Sequence, residues 1–201
     1  SIYGLTEASP RVSYLPPADF DKYSESVGIP IDGVKVKIID VQTGGDLPAN
    51  SRGLVMISSP SLMKGYYNDQ SLTQKTIVNG WLNTHDIGYK DENGYLYILG
   101  RADDMIIKAG MNIYPREIEN AINKLPEISE CLAYGRKGSL GEDIIIDIVL
   151  SKESIQITKK DLMVKFKQVL SPYLMPSNIN IVDTIPRNAS GKLIRSKRFH
   201  D

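Results

Sequence analysis

Apolar and polar residues alternate through much of the first half of the chain, and this pattern predicts β-strands. Strand-like runs cover residues 34–40 and 53–58, with turn-forming residues between them. Asn93-Gly94 then joins residues 89–90 to the apolar run 95–99, which predicts a β-hairpin because both turn residues tolerate positive φ. The first half is therefore expected to be rich in β-structure.

The second half mixes helical and strand patterns. Residues 105–108 predict a short strand, and residues 112–114 predict a loop. Pro115 suits the first turn of a helix, and apolar residues recur at helical spacing from Ile118 to Leu125. This segment is therefore expected to be a helix with one apolar face.

Further along, two apolar runs at residues 132–134 and 144–150 predict paired strands. Thr158 and Asp161 have the spacing of a capping box, which predicts the start of a second helix. Residues 179–182 predict a last strand. The expected fold class is α+β, with helices on one side of a small sheet.

The composition is that of a soluble globular protein, with 41% apolar and 24% charged residues among 201. The 24 Lys and Arg balance the 24 Asp and Glu, so no net field points to nucleic acid or to an anionic membrane. The single cysteine, Cys131, lies in a strand-like run and is expected to be a core residue. No secretion signal and no apolar stretch of about 18 residues is found, so a cytoplasmic location is expected.

Five short segments carry the candidate chemistry, and each is a weak signal by itself. They are Tyr3-Gly4-Leu5-Thr6-Glu7, residues 53–57 leading to 64–68, residues 80–86, residues 100–108 running to 112–119, and residues 186–192. Their order and spacing together resemble the adenylate-forming superfamily, which contains acyl- and aryl-CoA ligases, luciferase and the adenylation domains of peptide synthetases. The resemblance covers essentially the whole chain.

The resemblance implies a domain organisation and a reaction. Residues 1–102 are expected to be the β-rich end of a large AMP-binding domain, and residues 103–201 a small mobile α+β domain with a short sheet flanked by helices. In such enzymes a carboxylate attacks the α-phosphate of ATP, pyrophosphate leaves, and a thiol then displaces AMP from the acyl-adenylate. Because both reactants of the first step are anionic, positioning and charge compensation carry most of the catalysis.

The resemblance also gives roles to the first segment. In similar enzymes the aromatic residue lies against adenine, the Thr hydroxyl contacts phosphate, and the Glu holds Mg²⁺ through oxygen. Tyr3 and its neighbour Gly4 are therefore expected at the ATP/AMP site. Thr6 and Glu7 are expected to be catalytic, with Glu7 as the metal ligand.

Asp86 is expected to anchor the ribose, because two carboxylate oxygens can accept from two vicinal hydroxyls. The family usually reads Thr-Gly-Asp here, whereas this chain reads Thr84-His85-Asp86. The histidine adds a side chain where a glycine would leave the backbone free. We expect His85 to point to solvent and to change little, and we expect Arg101 to contact ribose or phosphate.

By the same resemblance, the small domain rotates about the hinge residue Asp103 to serve two half-reactions. In the first, the loop over residues 186–192 presents Lys192, whose ammonium would bridge the carboxylate and the α-phosphate. In the second, residues 108–111 face the reaction centre, where Gly110 gives a pantetheine arm room to pass.

The chain begins without Met and lacks the Ser/Thr/Gly-rich phosphate loop that relatives carry upstream of Tyr3. It is therefore expected to be the C-terminal portion of a ligase, inactive without the upstream part of the large domain. Residues 112–119 resemble acyl- and aryl-CoA ligases, which favours coenzyme A as the thiol. Two alternatives stay open: loading of a carrier protein through its phosphopantetheine, and a non-catalytic module that binds a nucleotide or a partner. The carboxylic acid itself is not identified by the sequence.

Overall fold

The computed structural model describes residues 1–139, 141–154, 157–189, 191 and 193–195. The chain divides into two compact units, Ser1–Asp103 and Asp104–Asp201, each described separately below. Many strands and a few helices confirm the predicted α+β class. The assignment of the units to the large and small domains of a ligase stays a prediction. In the part of the chain that is described, no helix is long and apolar enough to cross a membrane.

Two antiparallel sheets build the first unit. Strands β1 to β3 form one sheet, and the other has the order β4-β5-β7-β6 with β8 paired to β7. The elements are β1 Ile2–Tyr3, β2 Ser13–Tyr14, α1 Phe20–Tyr23, β3 Ile29–Pro30, β4 Lys35–Ile39, β5 Gly53–Ser58, α2 Gln70–Thr76, β6 Ile77–Val78, β7 Trp81–Lys90 and β8 Leu96–Arg101.

Alternate residues of these strands form the core of the first unit, as the period of a strand requires. Val36 and Ile38 of β4 pack with Val55 and Ile57 of β5 and with Leu82 of β7. The strands predicted over residues 34–40 and 53–58 are confirmed, and so is the hairpin that joins β7 to β8.

One five-stranded sheet and two helices build the described part of the second unit. The sheet has the order β10-β9-β12-β11, and β13 pairs with β12 in parallel. The elements are β9 Ile106–Lys108, β10 Met111–Ile113, α3 Pro115–Ile122, β11 Ile128–Gly138, β12 Gly141–Leu150, α4 Lys159–Val169 and β13 Asn178–Ile181.

Both helices cover the same face of this sheet, as predicted. The core between them is lined by buried side chains of α3, α4, β11 and β12, namely Ile118, Ile122, Leu162, Phe166, Cys131, Ala133, Ile144, Ile146 and Ile148. The opposite face carries a smaller cluster in which Leu132, Tyr134 and Ile145 pack with Ile185 and Leu193. Cys131 is a core residue as expected, and burial raises the pKa of its thiol.

The prediction of a loop over residues 112–114 is wrong. Met111–Ile113 is strand β10, which pairs with β9 through a two-residue turn at Ala109 and Gly110. Both turn residues have positive φ, 50° for Ala109 and 78° for Gly110. Alanine rarely adopts this backbone conformation, so the turn has no ordinary sequence signal.

Phe166→Ala should destabilise the second unit by about 3–5 kcal/mol, because the fully buried ring would leave a cavity in the core. Urea unfolding followed by far-UV circular dichroism measures the loss. Val164→Ala on the same helix is the matched control, since Val164 is 54% exposed and should change stability by less than about 0.5 kcal/mol. Equal losses in the two variants would contradict this account of the core.

Candidate functional site

A β-bulge interrupts β7 at residues 84–86. The register of β5 against β7 shifts between residues 54 and 56, so three residues of β7 face Val55 alone. The buried Thr84 hydroxyl donates to the Val55 carbonyl at 2.8 Å and accepts from the Asp86 backbone N–H at 3.0 Å. Side-chain hydrogen bonds thus replace the interrupted ladder between β5 and β7 next to Asp86.

His85 lies in the bulge with a φ of 57°. Its backbone N–H donates to the Asn83 side-chain oxygen at 2.9 Å, and the residue is exposed. A positive φ is costly for a residue with a Cβ but free of cost for glycine. The bulge therefore explains in physical terms why a glycine suits this position.

Asp86 accepts hydrogen bonds from two residues that are distant from it in sequence. The Tyr3 hydroxyl of β1 donates to Asp86 Oδ2 at 2.5 Å, and Arg101 Nη1 lies 3.3 Å from Asp86 Oδ1. Asp86 and Arg101 are cross-strand partners of β7 and β8. Burial and then the Asp86 carboxylate raise the pKa of Tyr3, so its hydroxyl stays protonated and remains a donor.

The members of this cluster of Tyr3, Asp86 and Arg101 differ in their exposure to solvent. The Asp86 side chain is 13% exposed, whereas the Arg101 side chain is 53% exposed. Each carboxylate oxygen has two lone pairs, so Asp86 retains acceptor capacity beyond these two bonds. The cluster combines an aromatic ring, a fixed carboxylate and an accessible guanidinium, groups that suit a hydroxylated and anionic ligand.

The segment that holds Thr6 and Glu7 forms a short 3₁₀ turn, Thr6–Ala8. Glu7 is half-buried, and its Oε1 accepts from the Tyr66 hydroxyl at 3.0 Å; Thr6 is exposed. Gly4 has a structural reason to be glycine, because a Cβ there would lie 2.1 Å from the Pro10 carbonyl oxygen. The close approach of the two backbone segments fixes the course of the chain between Tyr3 and Glu7.

Tyr66 and Thr84 take part in this geometry although neither was predicted to have a role. Tyr66 belongs to one of the five candidate segments, which is the signal that could have found it. Thr84 adjoins the predicted Asp86, but its function depends on a bulge that periodicity does not reveal. Both act by holding a predicted site residue in place.

Three further predicted residues are Asp103, Gly110 and Lys192. Asp103 is in the 3₁₀ turn Ala102–Asp104 at the end of the first unit. Gly110 is exposed in the β9–β10 turn of the second unit. Lys192 lies outside the described residues. Their places in a common site stay predictions.

Two family models match the chain. Residues 1–67 match the AMP-binding enzyme model, and residues 117–192 match the model of the AMP-binding enzyme C-terminal domain. The matched segments together cover more than half of the chain. The chain belongs to the AMP-binding enzyme family.

Individual relatives agree with this AMP-binding assignment. A long-chain-fatty-acid–CoA ligase of Escherichia coli is 36% identical over 194 residues, 96% of this chain and 34% of the relative. A fatty acid–[acyl-carrier-protein] ligase of Streptomyces coeruleorubidus is 34% identical over 197 residues, 96% of this chain and 38% of the relative. The chain thus spans little more than a third of the length of these proteins.

A solved structure of similar fold is that of o-succinylbenzoate CoA synthetase from Bacillus subtilis with its acyl-adenylate intermediate. It has a TM-score of 0.91 and 33% identity, over 98% of this chain and 40% of that protein. A second structure of this synthetase, with ATP and magnesium ion, has a TM-score of 0.88. The AMP-binding chain therefore shares its fold with part of a relative whose solved structures contain an acyl-adenylate or ATP.

His85→Gly should raise the stability of the first unit by about 1 kcal/mol, because glycine adopts the positive φ of the bulge without steric cost. Urea unfolding followed by the fluorescence of Trp81, which lies in the same unit, measures the gain. His85→Ala is the control, since it removes the imidazole but keeps the Cβ. Equal stability of the two variants would show that backbone strain at this position is negligible.

Proposed function

We propose that this chain is the C-terminal portion of an ATP-dependent acid–thiol ligase that forms an acyl-adenylate and then a coenzyme A thioester. The observation that carries the proposal is the Asp86 carboxylate held between Tyr3 and Arg101. A family that contains CoA ligases supports it, and so does a structural neighbour bound to an acyl-adenylate.

In this proposal the cluster around Asp86 binds the nucleoside part of ATP and AMP. The Asp86 oxygens accept from the ribose hydroxyls, and the Tyr3 ring lies beside the adenine. Arg101, with its exposed guanidinium, balances the charge of the phosphates. The Tyr3 hydroxyl and Arg101 fix the carboxylate before the ligand arrives, which lowers the entropic cost of binding.

Glu7 fits the role of a magnesium ligand. Within the described ranges no group of three or more His, Cys, Asp or Glu residues could hold a metal ion. Mg²⁺ does not need such a cage, because it is usually bound by one or two carboxylates together with substrate phosphates and water. Glu7 would supply a carboxylate oxygen, Thr6 would contact the phosphate, and the ion would compensate phosphate charge. Tyr66 orients Glu7 for this role.

The second unit supplies the groups that change between the half-reactions. Lys192 neutralises the charge that develops during adenylation. The turn at Ala109 and Gly110 offers a narrow backbone edge past which a pantetheine arm reaches the adenylate. Asp103 is the pivot between these two arrangements, at the residue where the two units divide.

A carrier protein is the second candidate for the thiol donor. The specific observation in its favour is the 34% identity to a fatty acid–[acyl-carrier-protein] ligase. Coenzyme A and a carrier protein present the same phosphopantetheine thiol, so the turn at Gly110 would serve either. The two donors differ in the surface that surrounds the arm.

Acid-dependent ATP–pyrophosphate exchange tests the proposal on the complete protein that contains this chain and, beside it, on the 201 residues alone. We expect exchange by the complete protein only, since the phosphate-binding loop of the family is not among these residues. A panel of carboxylic acids then identifies the substrate class. Absence of exchange from a folded complete protein would reject the ligase and favour a non-catalytic nucleotide-binding module.

Lys192→Ala in the complete protein should slow adenylation by about 10²-fold or more, the scale of losing one preorganised charge partner. Thioester formation from preformed acyl-adenylate should be largely spared. Single-turnover measurement of each half-reaction separates the two effects. Equal losses in both half-reactions would contradict the rotation of the second unit about Asp103.

A further inference from the structure

The two ends of the last described segment, residues 186–187 and 193–194, pair with each other as in a small hairpin. Arg187 and Leu193 form an antiparallel bridge, and the Ile194 N–H donates to the Pro186 carbonyl at 3.0 Å. Arg187 Nη1 donates to the Gly191 carbonyl at 2.9 Å, and Leu193 packs into the apolar cluster behind the sheet. The backbone on both sides of position 192 is therefore anchored.

Arg195 fastens the end of this hairpin to the body of the second unit. Its two terminal nitrogens donate to both oxygens of Glu119 on α3, with Nη2 at 2.9 Å from Oε2. Nη1 also donates to the Ala133 carbonyl of β11 at 2.8 Å, and Nε lies 3.2 Å from Asp104 Oδ2. One guanidinium thus joins three segments, a contact set we call the Arg195 clasp (Arg195, Glu119, Asp104 and the Ala133 carbonyl).

The charged groups of the Arg195 clasp are largely buried, where an unpaired charge would be destabilising. Glu119 is 5% exposed, and the Arg195 side chain is 14% exposed. Glu119 Oε1 also accepts from the Ala133 backbone N–H at 2.8 Å, so the carboxylate is held from two sides. A fork of this planar geometry fixes direction as well as distance, which a lysine could not do.

We propose that Arg195 is a positioning residue for adenylation: the clasp holds the described part of the terminal hairpin, which flanks position 192, in a fixed place relative to Asp104. This inference rests on the proposed function. Asp104 directly follows the proposed pivot Asp103 and begins the second unit. The clasp therefore joins the start of the moving unit to the loop that carries the proposed catalytic lysine.

The hairpin has other anchors besides the clasp. Arg187 already pairs with Glu130, and Leu193 already packs in an apolar cluster. The contact to Asp104 adds a link to the segment beside the pivot. A positioning role predicts that losing the clasp harms the half-reaction that needs Lys192 and largely spares the other.

The test uses the complete protein with Arg195→Gln, and both half-reactions are measured in single turnovers. We expect adenylation to slow by about 10²-fold, as a misplacement of 1 Å can cause, with kcat falling and KM for ATP little changed. Thioester formation from preformed acyl-adenylate should change far less. Arg195→Lys should recover only part of the rate, because an ammonium cannot pair with both oxygens of Glu119.

Lys165→Gln is the matched control. Lys165 on α4 forms an ion pair with Glu127 at 2.7 Å in the same unit, away in sequence from the hairpin and from the members of the clasp. Both half-reactions should be unchanged in this variant. Asp104→Asn is a second variant in case Arg195→Gln does not fold, since it keeps the bidentate pair with Glu119; it should slow adenylation by a smaller factor.

Cleavage by a lysine-specific protease after position 192 adds a readout that does not depend on activity. It should be faster in folded Arg195→Gln than in wild type or Lys165→Gln. Equal loss in both half-reactions, or an unchanged adenylation rate, would overturn the positioning role while leaving the ligase in place. A wild-type protein without exchange would instead reject the proposed function itself, and the clasp would then have no adenylation to position.

Discussion

The contact between the Asp86 carboxylate and the Tyr3 hydroxyl depends on an interruption of the strand that carries Asp86. A regular β7 would place residues 84–86 in alternation above and below the sheet, and the carboxylate would not meet the Tyr3 hydroxyl from β1. The interruption would leave polar backbone groups without partners, which is costly in a buried region. Thr84 and Asn83 meet that requirement with their side chains, and the positive φ at His85 is the residual cost.

In the second unit, a buried ion pair rather than an irregular strand brings distant segments of the chain together. Glu119 lies on α3, and its carboxylate accepts a hydrogen bond from the backbone of β11. It is buried, so an unpaired charge there would be strongly destabilising. Arg195 compensates it from a segment 76 residues later. The unit therefore gains a polar connection between distant parts of its chain, beside an apolar core that already holds the helices to the sheet.

Periodicity and turn chemistry predicted most of the elements, since strands such as Gly53–Ser58 and helices such as Lys159–Val169 are set by local patterns of apolar residues and caps. The candidate residues came from a resemblance, and for Tyr3, Asp86 and Arg101 the structure brings those residues together. What could not be predicted depends on exceptions to local rules. The turn at Ala109, the bulge around His85 and the pairing of Glu119 with Arg195 each require knowledge of a distant segment or of an unfavourable φ.

The positive φ of Ala109 affects how sequence variation at this turn should be understood. Only glycine, and to a lesser degree asparagine and aspartate, fits such a backbone well. Selection for folding alone would therefore favour these residues at position 109, before any demand from a thiol donor is considered. Tolerance of substitutions here reports first on the geometry of a two-residue hairpin. An intolerant position in this turn is thus not by itself a sign of contact with substrate, whereas a tolerated alanine records how much strain the unit can absorb.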